Sequence, residues 1–415
     1  MIEFETRQIR IPFRFRYGHA RKQHNSLDAV ICIARDNQGN QGFGEAVPRT
    51  YVTGETSESV MADIPKLIEK MNFVRKPNCE IQQQRVELAS QWKGRFPSCA
   101  CCVIDTAFHD LLANQDGDSC ANWMGAKSVD PLIYSASIGR SNKNKLLATS
   151  LAYRMFGFKH FKVKVADEND IERIPLIRRI LGSDIKIFAD ANAHWDRETA
   201  IRHIDSLRLH DVWAVEEPLR STEAKGVEHR GFDRLAVLSD EHFENYRWLR
   251  ERSPLPLIAD ESLICPASAK KIIEHQAFDI LNIRLSKCGG PWMCTALVEQ
   301  AREYGLPFGL GAMVGETPIL ATAGAHFAAL HRDHLYVQGF SHRLLHGKKF
   351  MYDEPTIRRG GKLIMDTTRT GLGLSVNMRM LESLTIQSKI RRTRQSLTGE
   401  IPGLNHGGTR LLASS

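Results

Sequence analysis

The chain has 415 residues, a quarter of them charged, with a net charge of +8 and nine cysteines. That length leaves room for two domains with sizeable cores, and the absence of any run of 18 apolar residues argues against a membrane-spanning helix. The start, Met1-Ile2-Glu3-Phe4-Glu5, lacks the basic-then-apolar order of a secretory signal, and the cysteine spacings form no zinc pattern. Cys99, Cys101 and Cys102 crowd one apolar stretch as small core residues, which suits a reducing cytoplasm. Half of the excess charge, +4, lies in residues 386–415. With no aromatic interleaving or binding motif, that end reads as a solvated tail and not as a nucleic-acid surface.

Residues 1 to 55 read as antiparallel strands, with the turn cluster Asp36-Asn37-Gln38-Gly39-Asn40 joining 27–35 to 41–46. Helical periodicity follows over 57–71 and 80–91, and 101–112 is apolar and helical. Beyond that, strands and helices alternate. Strands are expected over 132–138, 161–165, 185–190, 212–216, 256–260, 278–284, 306–313 and 335–340. Helix signals lie between them, as at 267–275 and 291–304, and Pro175 kinks or delays the helix expected over 170–181. The charged region 220–254, with His229 and His242, reads as an insertion. The expected layout is a capping domain over 1–125, a catalytic barrel over 126–344, a return to the cap over 345–385 and a basic, disordered tail over 386–415.

In a strand, alternate side chains share a face, so Lys162 and Lys164 point one way and Phe161, Val163 and Val165 the other. Three later apolar runs end in an acid: Asp190, Glu216 and Asp260. Lys164 to Asp190 is 26 residues, Asp190 to Glu216 is 26 again, Glu216 to Asp260 is 44, and Asp260 to the strand end at Arg284 is 24. One strand–helix unit of a βα barrel takes about 25–30 residues, and parallel units bring every strand's C-terminal end to one face. Singly, each acid is as well explained by a helix cap or a strand-end ion pair. Together they form a hard, all-oxygen donor set suited to Mg²⁺, with Mn²⁺ as a substitute, whereas zinc would want His or Cys. A divalent cation that clamps a substrate carboxylate stabilises the enediolate formed when the α-proton leaves. A lysine beside a second ammonium and a metal has its pKa lowered towards that of a usable base.

Lys162-Val163-Lys164, Asp190-Ala191-Asn192 with Trp195, Val215-Glu216-Glu217-Pro218 and Ala259-Asp260-Glu261-Ser262 together resemble the motifs of the enolase superfamily, in its muconate-lactonizing subgroup, over residues 1–385. The resemblance implies an α/β fold, a modified (β/α)7β TIM barrel with an α+β capping domain formed by both ends of the chain. It implies Mg²⁺-assisted proton abstraction next to a carboxylate, with Lys164 as acid/base beside Lys162, and with Asp190, Glu216 and Asp260 as metal ligands. Glu217 would face the opposite way. Asn192, Glu261, Glu316, Tyr51 and His19 are expected to face a small carboxylate substrate, the last two from capping loops over 50–55 and 17–21. A homo-oligomer is expected, since such relatives are often symmetric assemblies, with neither a nucleic-acid nor a membrane partner.

Two departures bear on the reaction. Many relatives carry lysine where this chain has Arg284, within Leu281-Asn282-Ile283-Arg284-Leu285-Ser286-Lys287. Arginine is a poor base but a good fixed cation or bidentate carboxylate grip. Lys287 replaces the missing amine only if its loop folds inward. Dipeptide epimerases of the subgroup also carry Asp-x-Asp after the eighth strand, where this chain reads Gln338-Gly339-Phe340-Ser341. Racemisation needs a base on each face of the α-carbon, so the expectation is a metal-dependent isomerase or lyase most like a muconate-type cycloisomerase. The alternatives are a dehydratase or a racemase/epimerase on the same scaffold, or a catalytically silent ligand-binding relative.

Overall fold

The computed structural model describes residues 1–18, 23–73, 75, 78–92, 96–128, 130–220 and 238–393. His19, His229 and the tail beyond Thr393 lie outside the described residues. The N-terminal strands β1 (Glu3–Gly18), β2 (Gln23–Arg35) and β3 (Gln41–Ala46) form an antiparallel sheet. Its fourth strand comes from the far end of the chain. Residues Thr385–Arg392, expected to open a disordered tail, pair antiparallel with β1 from Glu3↔Arg392 to Ile9↔Thr385. The lysine and arginines of this segment and its almost wholly exposed side chains mark an edge strand.

Helices α1 (Ser57–Lys70), α2 (Asn78–Gln91) and α3 (Ser98–Gln115) accompany this sheet. The contact of α3 with β3 is close enough to require glycine. A Cβ on Gly42 would lie 2.2 Å from the Ala107 carbonyl oxygen, and one on Gly44 would lie 2.1 Å from that of Val103. Cys99, Cys101 and Cys102 are buried in α3, as their apolar context implied.

The barrel strands are short and almost wholly buried, as expected where helices cover one face and side chains fill the other. The stretch expected as one strand over 132–138 divides at Tyr134. Its first part, β4 (Leu132–Ile133), pairs antiparallel with Lys362–Ile364 from the returning segment. Its second part, β5 (Ala136–Ile138), starts a parallel sheet that continues through β6 (His160–Lys164), β7 (Lys186–Asp190), β8 (Val212–Glu216), β9 (Leu257–Ala259), β10 (Ile280–Ile283) and β11 (Phe308–Leu310). The expected eighth strand is short: Leu335 N donates to the Phe308 carbonyl, Leu310 N to that of Tyr336 and Gln338 N to that of Leu310, and Val337 bridges in parallel to Leu310 on one side and Tyr134 on the other, which closes the ring. Pro175 sits in the first turn of Ile174–Leu181, so the helix expected over 170–181 is two pieces. The region read as an insertion contains an ordinary crossover helix, Asp240–Arg250, and His242 is buried in it against Ser262. No helix among the described residues is long and apolar enough to cross a membrane.

Inside the barrel the period-2 alternation sets two layers. Phe188, Ala214, Ile258, Ile280 and Tyr336 cluster as an apolar floor, with the Phe188 and Tyr336 rings stacked 4.7 Å apart. Two residues further along β7, β8 and β9 stand Asp190, Glu216 and Asp260. The cap docks over this end. The buried Glu45 carboxylate accepts from Thr317 N (2.8 Å), Thr317 Oγ1 (2.6 Å) and Leu320 N (3.0 Å), at the start of the helix Pro318–Leu330. Val47 N donates to Ser286 Oγ at 3.0 Å. On the opposite side of β3, Asp110 of α3 accepts from Phe43 N and Leu372 N, each at 2.7 Å.

Burial raises the pKa of both carboxyls, against their hydrogen bonds, to about 7 for Glu45 and about 7 for Asp110. A carboxyl raised on folding binds more protons in the native state. Its contribution is therefore fully present below its ordinary value and is lost as pH rises through the folded one. The urea midpoint should consequently fall between pH 5 and pH 8, and Glu45→Gln and Asp110→Asn should each flatten that slope whatever they do to absolute stability. An unchanged slope in both variants would reject the assignment.

Candidate active site

Strands β6 to β10 and the residues that directly follow them deliver two lysines, three carboxylates and an arginine, in that order, to the C-terminal end of the barrel. Lys162 Nζ lies 2.7 Å from Asp190 Oδ2 and 2.7 Å from Glu216 Oε1, and Lys164 Nζ lies 2.6 Å from Asp190 Oδ2. Across the ring, Arg284 Nη2 contacts Asp260 Oδ2 and lies 3.3 Å from Glu216 Oε1. Asn282 Nδ2 donates to the same Glu216 oxygen at 2.9 Å. Asp190, Glu216 and Asp260 are all fully buried. The backbone turns left-handed at Asn192 (φ 48°) and Ala193 (φ 54°), which folds Asn192 back over the strand end. Its N–H donates to Asp190 Oδ1 at 3.0 Å, its Oδ1 accepts from Lys164 at 2.8 Å, and its Nδ2 donates to Glu261 Oε1 at 3.3 Å. Trp195 locks this turn, with its indole N–H on the Ala166 carbonyl at 2.7 Å.

The two lysines of the pair differ in electrostatic setting. Burial would lower the pKa of Lys162, but Asp190 and Glu216 outweigh it and the net shift is upward. For Lys164, burial and the neighbouring Lys162 ammonium outweigh Asp190, and the net shift is downward. Asp190 is driven the other way: burial opposes its ionisation, yet the two ammonium groups hold its carboxyl well below the usual range. Lys162 is thus a permanent cation and Lys164 the amine more able to exchange a proton.

Lys287 does not reach inward. It is fully buried in the short helix Leu285–Cys288, and its ammonium is bound by the Asp260 carbonyl (2.6 Å), Asp260 Oδ1 (2.9 Å) and the Asn282 carbonyl (3.0 Å). Burial lowers its pKa to about 8, but all three of its protons are committed. The expectation that it could serve as a second base is therefore corrected: it is a buried brace behind Asp260. Glu316 is also buried, with its Oε2 on Met313 N at 3.0 Å, and burial beside Glu45 raises its pKa well above the ordinary range. From the cap, Tyr51 is near enough to Arg49, Arg284 and Glu261 for their charges to act on its hydroxyl, whose pKa burial raises.

Several contributors lack a sequence signal of their own. Asn282 sits in an apolar run, and Gly311 leaves space that a Cβ would fill at 2.9 Å from Arg284 Cγ. Arg49 donates to the Val314 carbonyl at 3.3 Å and ties cap to barrel mouth. As a donor set, three buried carboxylates from neighbouring strand ends fit a hard divalent cation, and Glu216 Oε2 is buried with no hydrogen-bond partner. As placed, however, Lys162 and Arg284 stand between them, and among the described residues no three His, Cys, Asp or Glu groups are gathered as a ready cage.

Residues 147–234 and 236–380 match the family described as enolase C-terminal domain-like. An L-Ala-D/L-Glu epimerase of Francisella tularensis subsp. novicida is 29% identical over 333 residues, covering 78% of this chain and 86% of the relative. An N-succinyl-L-Arg/Lys racemase of Bacillus cereus is 26% identical over 392 residues, covering 92% and 96%. Among solved structures, a dipeptide epimerase from Cytophaga hutchinsonii complexed with Mg and D-Ala-L-Val superposes with a TM-score of 0.79 at 22% identity, covering 94% of this chain and all of that one (100%). Muconate lactonizing enzyme from Pseudomonas fluorescens does so with a TM-score of 0.79 at 20% identity, covering 92% and 98%.

Glu217 faces away from this constellation, as its position after Glu216 implied. Its Oε2 accepts from Asp260 N (2.8 Å) and Ser262 N (3.2 Å), and its Oε1 accepts from Tyr246 Oη (3.1 Å) and Ser262 Oγ. Its left-handed backbone (φ 41°) makes that turn. Glu217→Ala should therefore cost about 3 kcal/mol in urea unfolding through orphaned buried donors. A loss under about 1 kcal/mol would mean water replaces the carboxylate there.

Proposed function

Since this chain belongs to the enolase C-terminal domain-like family, we propose that it is a metal-assisted enzyme that removes the proton α to a carboxylate, with Lys164 as its base. The observation that carries this reading is the Lys164–Asp190–Asn192 cluster, which holds one amine with a lowered pKa at the strand ends. The substrate class best supported is a dipeptide or an N-acylated amino acid, because the sequence relatives are named as epimerases and racemases of such compounds. That support moves the reading away from a muconate-type cycloisomerase, whose structural likeness at 20% identity speaks to the fold. It favours the racemase/epimerase alternative as the lineage.

Asp190, Glu216 and Asp260 would hold the metal, and a bound Mg²⁺ would supply Lewis-acid polarisation of the substrate carboxylate. Lys164 takes the α-proton from one face, and Lys162 keeps the local field positive. β6 and β10 are four positions apart in an eight-membered ring, so Arg284 faces Lys164 from the opposite wall. Arginine does not release a proton near neutral pH, so it serves as a fixed cation and leaves the second face without a base. Lys287, held by three acceptors, does not supply one.

The test is α-proton exchange in D₂O with Mg²⁺ over a panel of dipeptides and N-acyl amino acids. The wild type should incorporate deuterium with retention of configuration, Lys164→Ala should lower exchange by about 10²–10⁴-fold, and Arg284→Lys should add inversion. Inversion by the wild type at the rate of exchange would reject the one-base reading. The contact of Arg284 with both Glu216 and Asp260 favours a second reading, a catalytically silent ligand-binding relative. Absence of exchange across the whole panel would support it.

A further inference from the structure

Arg284 reaches the space between two of the three acids, and its geometry there is unusually one-sided. Nη2 touches Asp260 and Glu216, whereas among the described residues Nη1 has only the Met313 sulfur, at 3.9 Å. Nε is buried and has no partner. Gly311 makes room for the side chain: a Cβ there would lie 3.1 Å from Nε and 2.4 Å from Asn282 Oδ1. The carboxylates have other partners, Asp260 in Lys287 and Glu216 in Lys162 and Asn282, so neither is left uncompensated if Arg284 leaves.

We propose that Arg284 is a built-in competitor for the divalent cation, with its guanidinium holding Glu216 and Asp260 until a ligand carboxylate draws it off. The inference rests on reading Asp190, Glu216 and Asp260 as metal ligands. A guanidinium keeps its charge at any pH the protein survives, so a metal ion cannot join Glu216 and Asp260 while Arg284 remains between them without strong like-charge repulsion. A planar carboxylate offers two oxygens in matched geometry to either edge of the guanidinium, and both edges include Nη2, so a bidentate grip on a ligand draws Nη2 off the acids. Once the side chain turns to such a ligand, Glu216 Oε2, already without a partner, and both Asp260 and Glu216 face a metal with no cation between them. Carboxylate and metal therefore tighten each other's binding, and by linkage the factor is the same in both directions.

The experiment is direct Mn²⁺ binding, followed by the free-ion EPR signal at fixed ionic strength, for the wild type and Arg284→Met. Benzoate, a carboxylate without an α-proton, is added in parallel titrations. Arg284→Met should bind Mn²⁺ at least about tenfold more tightly than the wild type, and benzoate should tighten the wild type by a factor several-fold larger than it tightens the variant, where only the direct contact of carboxylate with metal remains. Equal affinity in the two proteins, abolished in both by Glu216→Gln, would overturn the inference and leave the metal-site reading standing. No Mn²⁺ binding by either protein, each folded by circular dichroism, would overturn both. Arg284→Gln takes the place of the methionine variant if that one does not fold.

Discussion

The Glu216 carboxylate is the pivot of this structure. One oxygen, Oε1, accepts from Lys162, Asn282 and Arg284, which stand on β6 and at the end of β10. The Glu216, Lys162 and Arg284 charges would each cost several kcal/mol to bury alone, and only their mutual pairing makes the layer tolerable. The network is chained: Lys162 also holds Asp190, Asp190 holds Lys164, Arg284 also holds Asp260, and Asp260 holds Lys287. Each acid has two cationic partners, so the strand ends are fixed relative to one another by charge as much as by packing, and no acid depends on a single cation. The apolar floor below, from Phe188 to Tyr336, excludes water from the underside and keeps those interactions strong.

The cap depends on the same end of the barrel. Three of its anchors attach to the segments that follow β10 and β11: Val47 to Ser286, Arg49 to Val314 and Glu45 to the start of the Pro318–Leu330 helix. Ser286 lies two residues beyond Arg284, and Val314 one beyond Met313, which Arg284 also touches. Movement of the Arg284 side chain is thus adjacent to the contacts that seat the cap, and Tyr51 lies within the field of the same guanidinium. The seating of the cap and the charge balance in the barrel meet at one residue.

Much of this was legible in the sequence because period and spacing are strong signals. Apolar runs ending in Asp190, Glu216 and Asp260 at βα intervals located the strands to within a residue or two, and the alternation of Lys162 and Lys164 placed both inside the ring. The illegible parts have physical reasons. The last barrel strand closes the ring over residues 335–338 only, so the run expected to 340 overstated its length. The segment from Thr385 to Arg392 carries mostly exposed side chains because it is an edge strand, and its composition mimicked a solvated tail. Lys287 could be placed only once its loop was seen to be a helical turn that turns the ammonium back onto Asp260. Asn282 gave no warning because a polar residue in a buried run can be read only from its partner.

What remains is the meaning of one exchange, arginine for lysine, at the end of β10. A lysine there presents a single point charge that can lose its proton. The guanidinium is longer, planar and permanently charged, and it spans two carboxylates at once. The same three properties remove the second base, strengthen the internal neutralisation of the acids and supply a fork for an incoming carboxylate. They act together because Gly311 has no side chain to confine the arginine and because Lys287, not Arg284, carries the bracing of Asp260. A site with its structural cation placed behind the acids can change the cation in front of them without collapsing. For that reason position 284 can differ in chemistry while Lys162, Lys164, Asp190, Glu216 and Asp260 keep their arrangement.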